Sequence, residues 1–355
     1  MNRKLKIGGD LKPTPKDDRD FGLLDVYTQI PLSEVPNTDW DFYTPLEVKD
    51  QKQTQECTGH GVAVALEAHE GEIINPSVQY AFIKELTGDP TDTGADLRTA
   101  MKSGTKIGGV KKKDCDFGVD KYDGDFLADI KNYPEGLKDK AKVHQQKSFF
   151  KAHEGKYDIF DNFRTWLYKF RDEEPVIVTG VMWQDNWTYS AVIPKEPGSP
   201  RGGHCIVILP AQKIISGEPY LKVQNSYGQG VGEQGFHWFP REVINKLFTY
   251  GGYIYRDKDP EEVKQLRKGE NMQVRSNLFE LNLRDLGNGL LVSVISAVLL
   301  YVQQALSTGG FTAIDINQVL TIALNTGLAY IVKNLFEDAK GENMITGAIK
   351  KALKK

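Results

Sequence analysis

Four side chains with the makings of a nucleophilic site are spread along the chain: Gln51, Cys57, His204 and Asn225. A polar, turn-rich run from Asp50 ends at Cys57, after which the sequence becomes small and apolar with helical character. Cys57 therefore stands where a loop becomes a helix, and there unpaired N–H groups and the positive end of the dipole favour a thiolate. Gln51, earlier in the same loop, can bring its side-chain amide alongside the thiol, which is what an oxyanion hole needs. A lone cysteine is more often a small buried core residue, so the case rests on two distant stretches.

The first is Gly202-Gly203-His204-Cys205 followed by Ile206-Val207-Ile208-Leu209. The hydrophobic run makes a rigid strand, and the glycine pair lets another backbone approach closely, so His204 is held still. Strand alternation turns Cys205 to the opposite face, as core. The second stretch is Leu221-Lys222-Val223-Gln224-Asn225-Ser226-Tyr227-Gly228, with further glycines at 230, 232 and 235. It reads as a strand ending at Asn225, then a tight loop rising into Phe236-His237-Trp238.

Taken in order, Gln51, Cys57, His204 and Asn225-Ser226-Tyr227-Gly228 resemble the papain family of cysteine peptidases, from about Asp17 to Arg256. The resemblance implies an α+β, two-lobed fold, with a helical lobe carrying Cys57 and a β-barrel-like lobe carrying His204 and Asn225. It implies a cysteine endopeptidase that needs no cofactor or metal and acts on a peptide or protein substrate. In it Cys57 is the nucleophile, His204 the base, Asn225 the residue that orients the imidazole, and Gln51 the oxyanion donor. Gly94 is the candidate for the family's glycine that binds substrate backbone, and Gly203 lies beside the cleft. Trp183, with Trp187 and Tyr189, is expected on one wall of the cleft. Tyr227 stands where the family usually has Trp, shielding the His–Asn bond. Glu56, directly before the nucleophile, departs from the family's Gly-Ser, and a carboxylate there opposes the thiolate unless it faces solvent. Two other readings stay open: an inactive papain-like binding or assembly module, and a hydrolase of peptidoglycan cross-links.

The elements that position these residues follow from local pattern. Residues 1–36 read as an extended arm, too short for the long helical propeptide of animal and plant relatives; 37–258 form the peptidase domain and 259–285 a linker. Cys57 to about His69 reads as a helix with Val62, Ala65, Leu66 and His69 on one face. Pro76 opens a second helix to about Leu86, and Ala95 to Ser103 a third. Residues 105–155 read as charged and irregular. Asp161 is a candidate cap for a helix whose Phe163, Trp166, Leu167 and Phe170 form a core stripe, and Pro175 to Trp183 reads as a buried strand.

The 355 residues carry a net charge of −3, which gives no basic field for nucleic acid. Three cysteines make no disulfide framework, and the first ten residues lack the apolar core of a secretory signal, which favours a reducing cytoplasm. Beyond the linker the composition shifts: Leu286 to Ile314 holds no charged residue, and Ile316 to Val332 is a second uncharged stretch. Residues 286–355 therefore read as a hydrophobic hairpin with a basic amphipathic tail, similar in layout to small phage holin-like proteins. It would hold the protein at the cytoplasmic face of a membrane or bind a helical assembly partner.

Overall fold

A computed structural model describes residues 11–15, 17, 20–117, 123–259, 263, 283–309 and 314–336. The chain divides into two compact units, residues 1–267 and 268–355.

Helix α1 (Cys57–Glu70) is buried on nearly every side, its polar Thr58, His60 and Glu67 included, because it is packed on two sides at once. Gly59 lies against Pro76 and Tyr80 of α2 (Pro76–Thr87), where a Cβ would come within 2.6 Å of the Pro76 carbonyl. Gly61 lies against the sheet, where a Cβ would come within 2.7 Å of Cys205 Sγ. The two glycines thus let α1 press on both neighbours. Gly71, in the left-handed region at φ 64°, ends α1. Asn75 caps α2 by accepting the N–H groups of Ser77 and Val78 at 2.9 and 3.1 Å, with Pro76 in the first turn. Asp96 caps α3 (Leu97–Lys106), which begins and ends later than the sequence pattern suggests.

Residues 105–155 are not irregular. They hold α4 (Gly124–Ala128), α5 (Leu137–Lys142) and strand β2 (Ser148–Lys151), with β1 (Trp40–Asp41) earlier in the chain. Two short helices and a four-residue strand show no readable period, and their few apolar residues, such as Leu127, Tyr133 and Leu137, close a small core under α2. Helix α6 (Ile159–Lys169) is capped by Asp158, not Asp161. Asp161 lies inside the first turn and takes a two-pronged bond from Arg241 at 2.6 Å.

The remaining strands are β3 (Ile177–Gln184), β4 (Pro200–Ile215), β5 (Glu218–Gln224), β6 (Phe236–Pro240) and β7 (Gly252–Arg256). They form an antiparallel sheet in the order β2-β7-β3-β4-β5-β6, with β1 on β4, and α7 (Arg241–Leu247) follows β6. One core, rich in Phe163, Trp166, Trp183 and Phe239, lies on the α6 side of the sheet. Each such fully buried side chain contributes about 1.5–3 kcal/mol. The other core joins α1 to the opposite face through Val62, Val178, Cys205 and Val207.

In the second unit, helices Leu283–Gly309 and Ile316–Phe336 pack on each other, and the Asp315 N–H donates to the Tyr301 hydroxyl at 3.1 Å across the turn. The hairpin is there, but among the described residues no helix is long and apolar enough to cross a membrane. The polar residues Ser296, Gln303, Gln304, Asn317, Gln318, Thr321 and Asn325 break the apolar runs. The basic tail after Phe336 and most of the 259–285 linker lie outside the described residues.

Candidate active site

Cys57 is the first residue of α1 and is wholly buried. The backbone N–H groups of Cys205, Thr58 and Cys57 itself face its sulfur and favour the thiolate, but burial outweighs them and Asp92 adds to it, pushing the thiol up to about 12. The contact with Cys205 sets Cys57 against β4 one residue past His204. His204 is also fully buried, and burial pushes it down to about 4. Its Nε2 lies 2.9 Å from Asn225 Oδ1. Its Nδ1 is buried and has no hydrogen-bond partner among the described residues. Burial thus favours the neutral form of each, the thiol of Cys57 and the imidazole of His204.

Sheet register explains how these groups meet. β4 and β5 pair with Val207 opposite Gln224. Continued by three residues, that register puts Tyr227 opposite His204 and Asn225 diagonal to it, within reach of a side-chain bond. The Tyr227 ring stacks on the imidazole at 4.6 Å between centroids. Trp183 is fully buried and meets the same imidazole edge-on at 5.3 Å, so it stands beneath the site and does not line an open wall. Trp187 is buried too, and of the three expected wall residues Tyr189 alone is exposed.

Gln51 is tied to this end of the sheet. Its Oε1 accepts the Ser226 hydroxyl at 2.6 Å, and its backbone N–H donates to the Ser226 carbonyl at 2.8 Å. One hydrogen of its Nε2 goes to the Thr54 carbonyl at 2.7 Å, which leaves the other N–H of the amide for a further acceptor. Ser226 also donates its backbone N–H to Asn225 Oδ1 at 2.7 Å. It was not singled out in the sequence, although it joins Gln51 to Asn225. Glu56 is buried away from solvent; its Oε1 lies 3.3 Å from His60 Nε2. The carboxylate that opposes the thiolate is Asp92, which accepts the Gln55 N–H and the Tyr80 hydroxyl.

Gly94 takes φ +65°, but its backbone is already used: its carbonyl accepts Lys84 Nζ at 3.0 Å and its N–H donates to the Tyr80 hydroxyl at 3.2 Å. The backbone group presented at this rim is the next one along. Ala95 carbonyl accepts the Lys12 N–H at 3.2 Å, while Gly203 carbonyl, beside His204, accepts the Leu11 N–H at 3.3 Å. The arm therefore bridges the helical side and the sheet side next to His204. Leu11 is buried, with its side chain over Gly180 and its carbonyl over Gly203; a Cβ on Gly180 would come within 2.3 Å of Leu11 Cδ2. Arg98 on α3 holds the arm again through Asp17 and Asp20. Among the described residues no cluster of His, Cys, Asp and Glu is placed to hold a metal ion.

No protein-family description and no curated protein matches the chain. Solved structures do. It is similar to xylellain, a cysteine protease from Xylella fastidiosa, at 22% identity over 73% of this chain and 99% of that one, with a TM-score of 0.54. It is also similar to procathepsin B S9 from Trypanosoma congolense, at 14% identity over 70% and 87% of the two chains, with a TM-score of 0.51. The fold is papain-like α+β.

Proposed function

We propose that this protein is a cysteine endopeptidase whose nucleophile is Cys57, held in a covered resting state by residues 11 and 12. What supports this is a buried helix-opening thiol against the backbone N–H of Cys205, the residue after His204, together with an Asn-bound imidazole at His204 whose Nδ1 is bare. Once the arm leaves, water reaches the site and relieves the burial that keeps both groups neutral. His204 Nδ1 takes the Cys57 proton, and the thiolate attacks a peptide carbonyl. The Cys57 backbone N–H and the remaining Gln51 amide N–H hold the oxyanion. His204 then protonates the leaving amine, and water releases the acyl-enzyme. Asn225 keeps the imidazole in plane and Tyr227 keeps water off their bond. Gly203 and Ala95 carbonyls, which now hold the arm, are the groups that would bind an extended substrate backbone.

The test is hydrolysis of a peptide library by the full chain, with labelling by a thiol-reactive epoxide. Cleavage together with a single label on Cys57, both absent in Cys57→Ala, supports the reading. Cleavage that survives in Cys57→Ala removes it. For the C-terminal hairpin we propose attachment, because Leu299, Leu300, Ile316 and Leu324 are each more than 60% exposed. The attachment is to a membrane surface facing the cytoplasm or to a partner helix. Fractionation of chains with and without residues 286–355 tests it, and identical behaviour of the two would refute it.

A further inference from the structure

β6 brings a second buried imidazole to the far side of Asn225. His237 pairs with Val223 on β5, which makes it the diagonal neighbour of Asn225 across the strands. It is wholly buried between Trp183, 5.5 Å away and edge-on, and the backbone of Gly232, where a Cβ would stand 2.7 Å from the ring. Its Nδ1 lies 2.8 Å from the Ser190 carbonyl, and its Nε2 lies 3.3 Å from Asn225 Nδ2.

The first of these distances fixes every proton in the row. A carbonyl only accepts, so His237 Nδ1 carries a hydrogen and donates it to Ser190. Burial pushes His237 down to about 4, so at neutral pH the ring is uncharged and its Nε2 is a bare acceptor. Asn225 must then turn its NH2 toward His237, which leaves Oδ1 facing His204. The Ser226 N–H holds Oδ1 in the same orientation. Facing an oxygen, His204 Nε2 must carry the hydrogen, and in a neutral imidazole that leaves Nδ1 as the lone pair. If the amide were reversed, His204 would be the other tautomer, with a hydrogen on Nδ1, unable to take a proton there.

We propose that His237 is a positioning residue for the reaction: by donating to Ser190 and accepting from Asn225 it fixes the Asn225 amide, and through it the tautomer in which His204 can act as base at Nδ1. The proposal rests on the reading of His204 as the base, and it acts through Asn225 without touching substrate.

Nitrogen NMR of the histidine-labelled full chain reads the tautomers directly. The wild type is expected to show hydrogen on Nδ1 of His237 and on Nε2 of His204. In His237→Leu the Asn225 NH2 loses its acceptor, and kcat is expected to fall about 10- to 100-fold, the size of one orphaned buried donor. KM should be unchanged, with the second His204 tautomer visible in the spectrum. His237→Gln, whose amide offers one donor and one acceptor as the neutral ring does, is expected to restore most of kcat and the single tautomer. A merely structural role predicts no such rescue and no tautomer change. The proposal is overturned by the opposite tautomer of either imidazole in the wild type, or by His237→Leu with kcat and the His204 tautomer both intact. If His237→Leu does not fold, the wild-type tautomers and the Gln variant decide. The spectra do not depend on peptide cleavage. Correct tautomers in a chain that cleaves nothing would overturn the peptidase reading alone, and wrong tautomers in an active chain would overturn this one alone.

Discussion

Replacing Leu11 by Asp should uncover the site, and the size of the effect can be worked out. Leu11 is 5% exposed, with its side chain over Gly180 and its carbonyl over Gly203. Burying a leucine contributes about 1.5–3 kcal/mol. An aspartate there loses that and adds a carboxylate with no partner, so the arm gives up at least about 2 kcal/mol of its hold. At 1.4 kcal/mol per factor of ten, the open fraction rises about 30-fold or more. While the wild type is mostly closed, kcat/KM for a fluorogenic peptide and the rate of epoxide labelling at Cys57 should rise together by that factor. Lys12→Ala is the contrast. Its side chain reaches Thr93 and Asp89 from a half-exposed position, and such contacts are worth about 0–1 kcal/mol. Equal labelling rates in wild type and Leu11→Asp would show that the arm does not close the site.

Cys57→Ala should abolish hydrolysis while Cys115→Ser leaves it, since Cys115 belongs to the separate core under α2; kinetics on the two variants check this. Gln51→Ala should lower kcat by about 10²-fold with little change in KM, as for one lost oxyanion donor, and an unchanged kcat would place the hole elsewhere. The pH dependence of labelling should differ between closed and open chains. With the thiol near 12 under the arm, wild-type labelling rises with pH throughout the neutral range, whereas Leu11→Asp flattens at lower pH. Stability should fall in mild acid. His204 and His237 both drop from 6.5 to about 4 in the folded state, so the unfolded chain takes up protons first. The stability is intact above about pH 6.5 and lost as pH falls toward 4, by up to about 3 kcal/mol per group, and a melting point equal at pH 7 and pH 5 would contradict this.

The parts of the site that could be read from the sequence are those whose backbone surroundings leave a local trace. Cys57 opens a helix, His204 sits in a hydrophobic strand after two glycines, and Asn225 ends a strand before a glycine-rich loop. Each of these is a pattern within a few residues. Leu11 has no such trace: one apolar residue in a polar run gains its burial from Gly180 and Gly203, far away in the sequence. His237 is hidden for another reason. Between Phe236 and Trp238 it reads as strand filler, and only the β5–β6 register puts it diagonal to Asn225. The irregular reading of residues 105–155 failed because helices of five and six residues are shorter than two helical turns and carry no period. Beyond the face of Val62, Ala65, Leu66 and His69, α1 is buried on its other sides as well, because the helix is sandwiched between α2 and the sheet. Asp161 was mistaken for a cap because the residue that caps, Asp158, lies one turn earlier and has the same side chain.

In the proposed mechanism, the dipeptide Asn225-Ser226 is where the two halves of the chemistry are joined. Asn225 meets His204 on one side and His237 on the other. Ser226 holds the oxyanion amide of Gln51 by its hydroxyl and Asn225 Oδ1 by its N–H. These bonds are buried, so each would be costly to leave unmade, and breaking one orphans a neighbour that has no water to turn to. A shift at the end of β5 therefore disturbs proton transfer and oxyanion binding together. The thiol belongs to a different support, α1, pressed against the sheet by Gly61. His204 and the Gln51 amide are thus fixed by the sheet and Cys57 by the helix. The arm, bonded at Gly203 on the sheet side and at Ala95 on the helical side, spans the line along which the two supports meet.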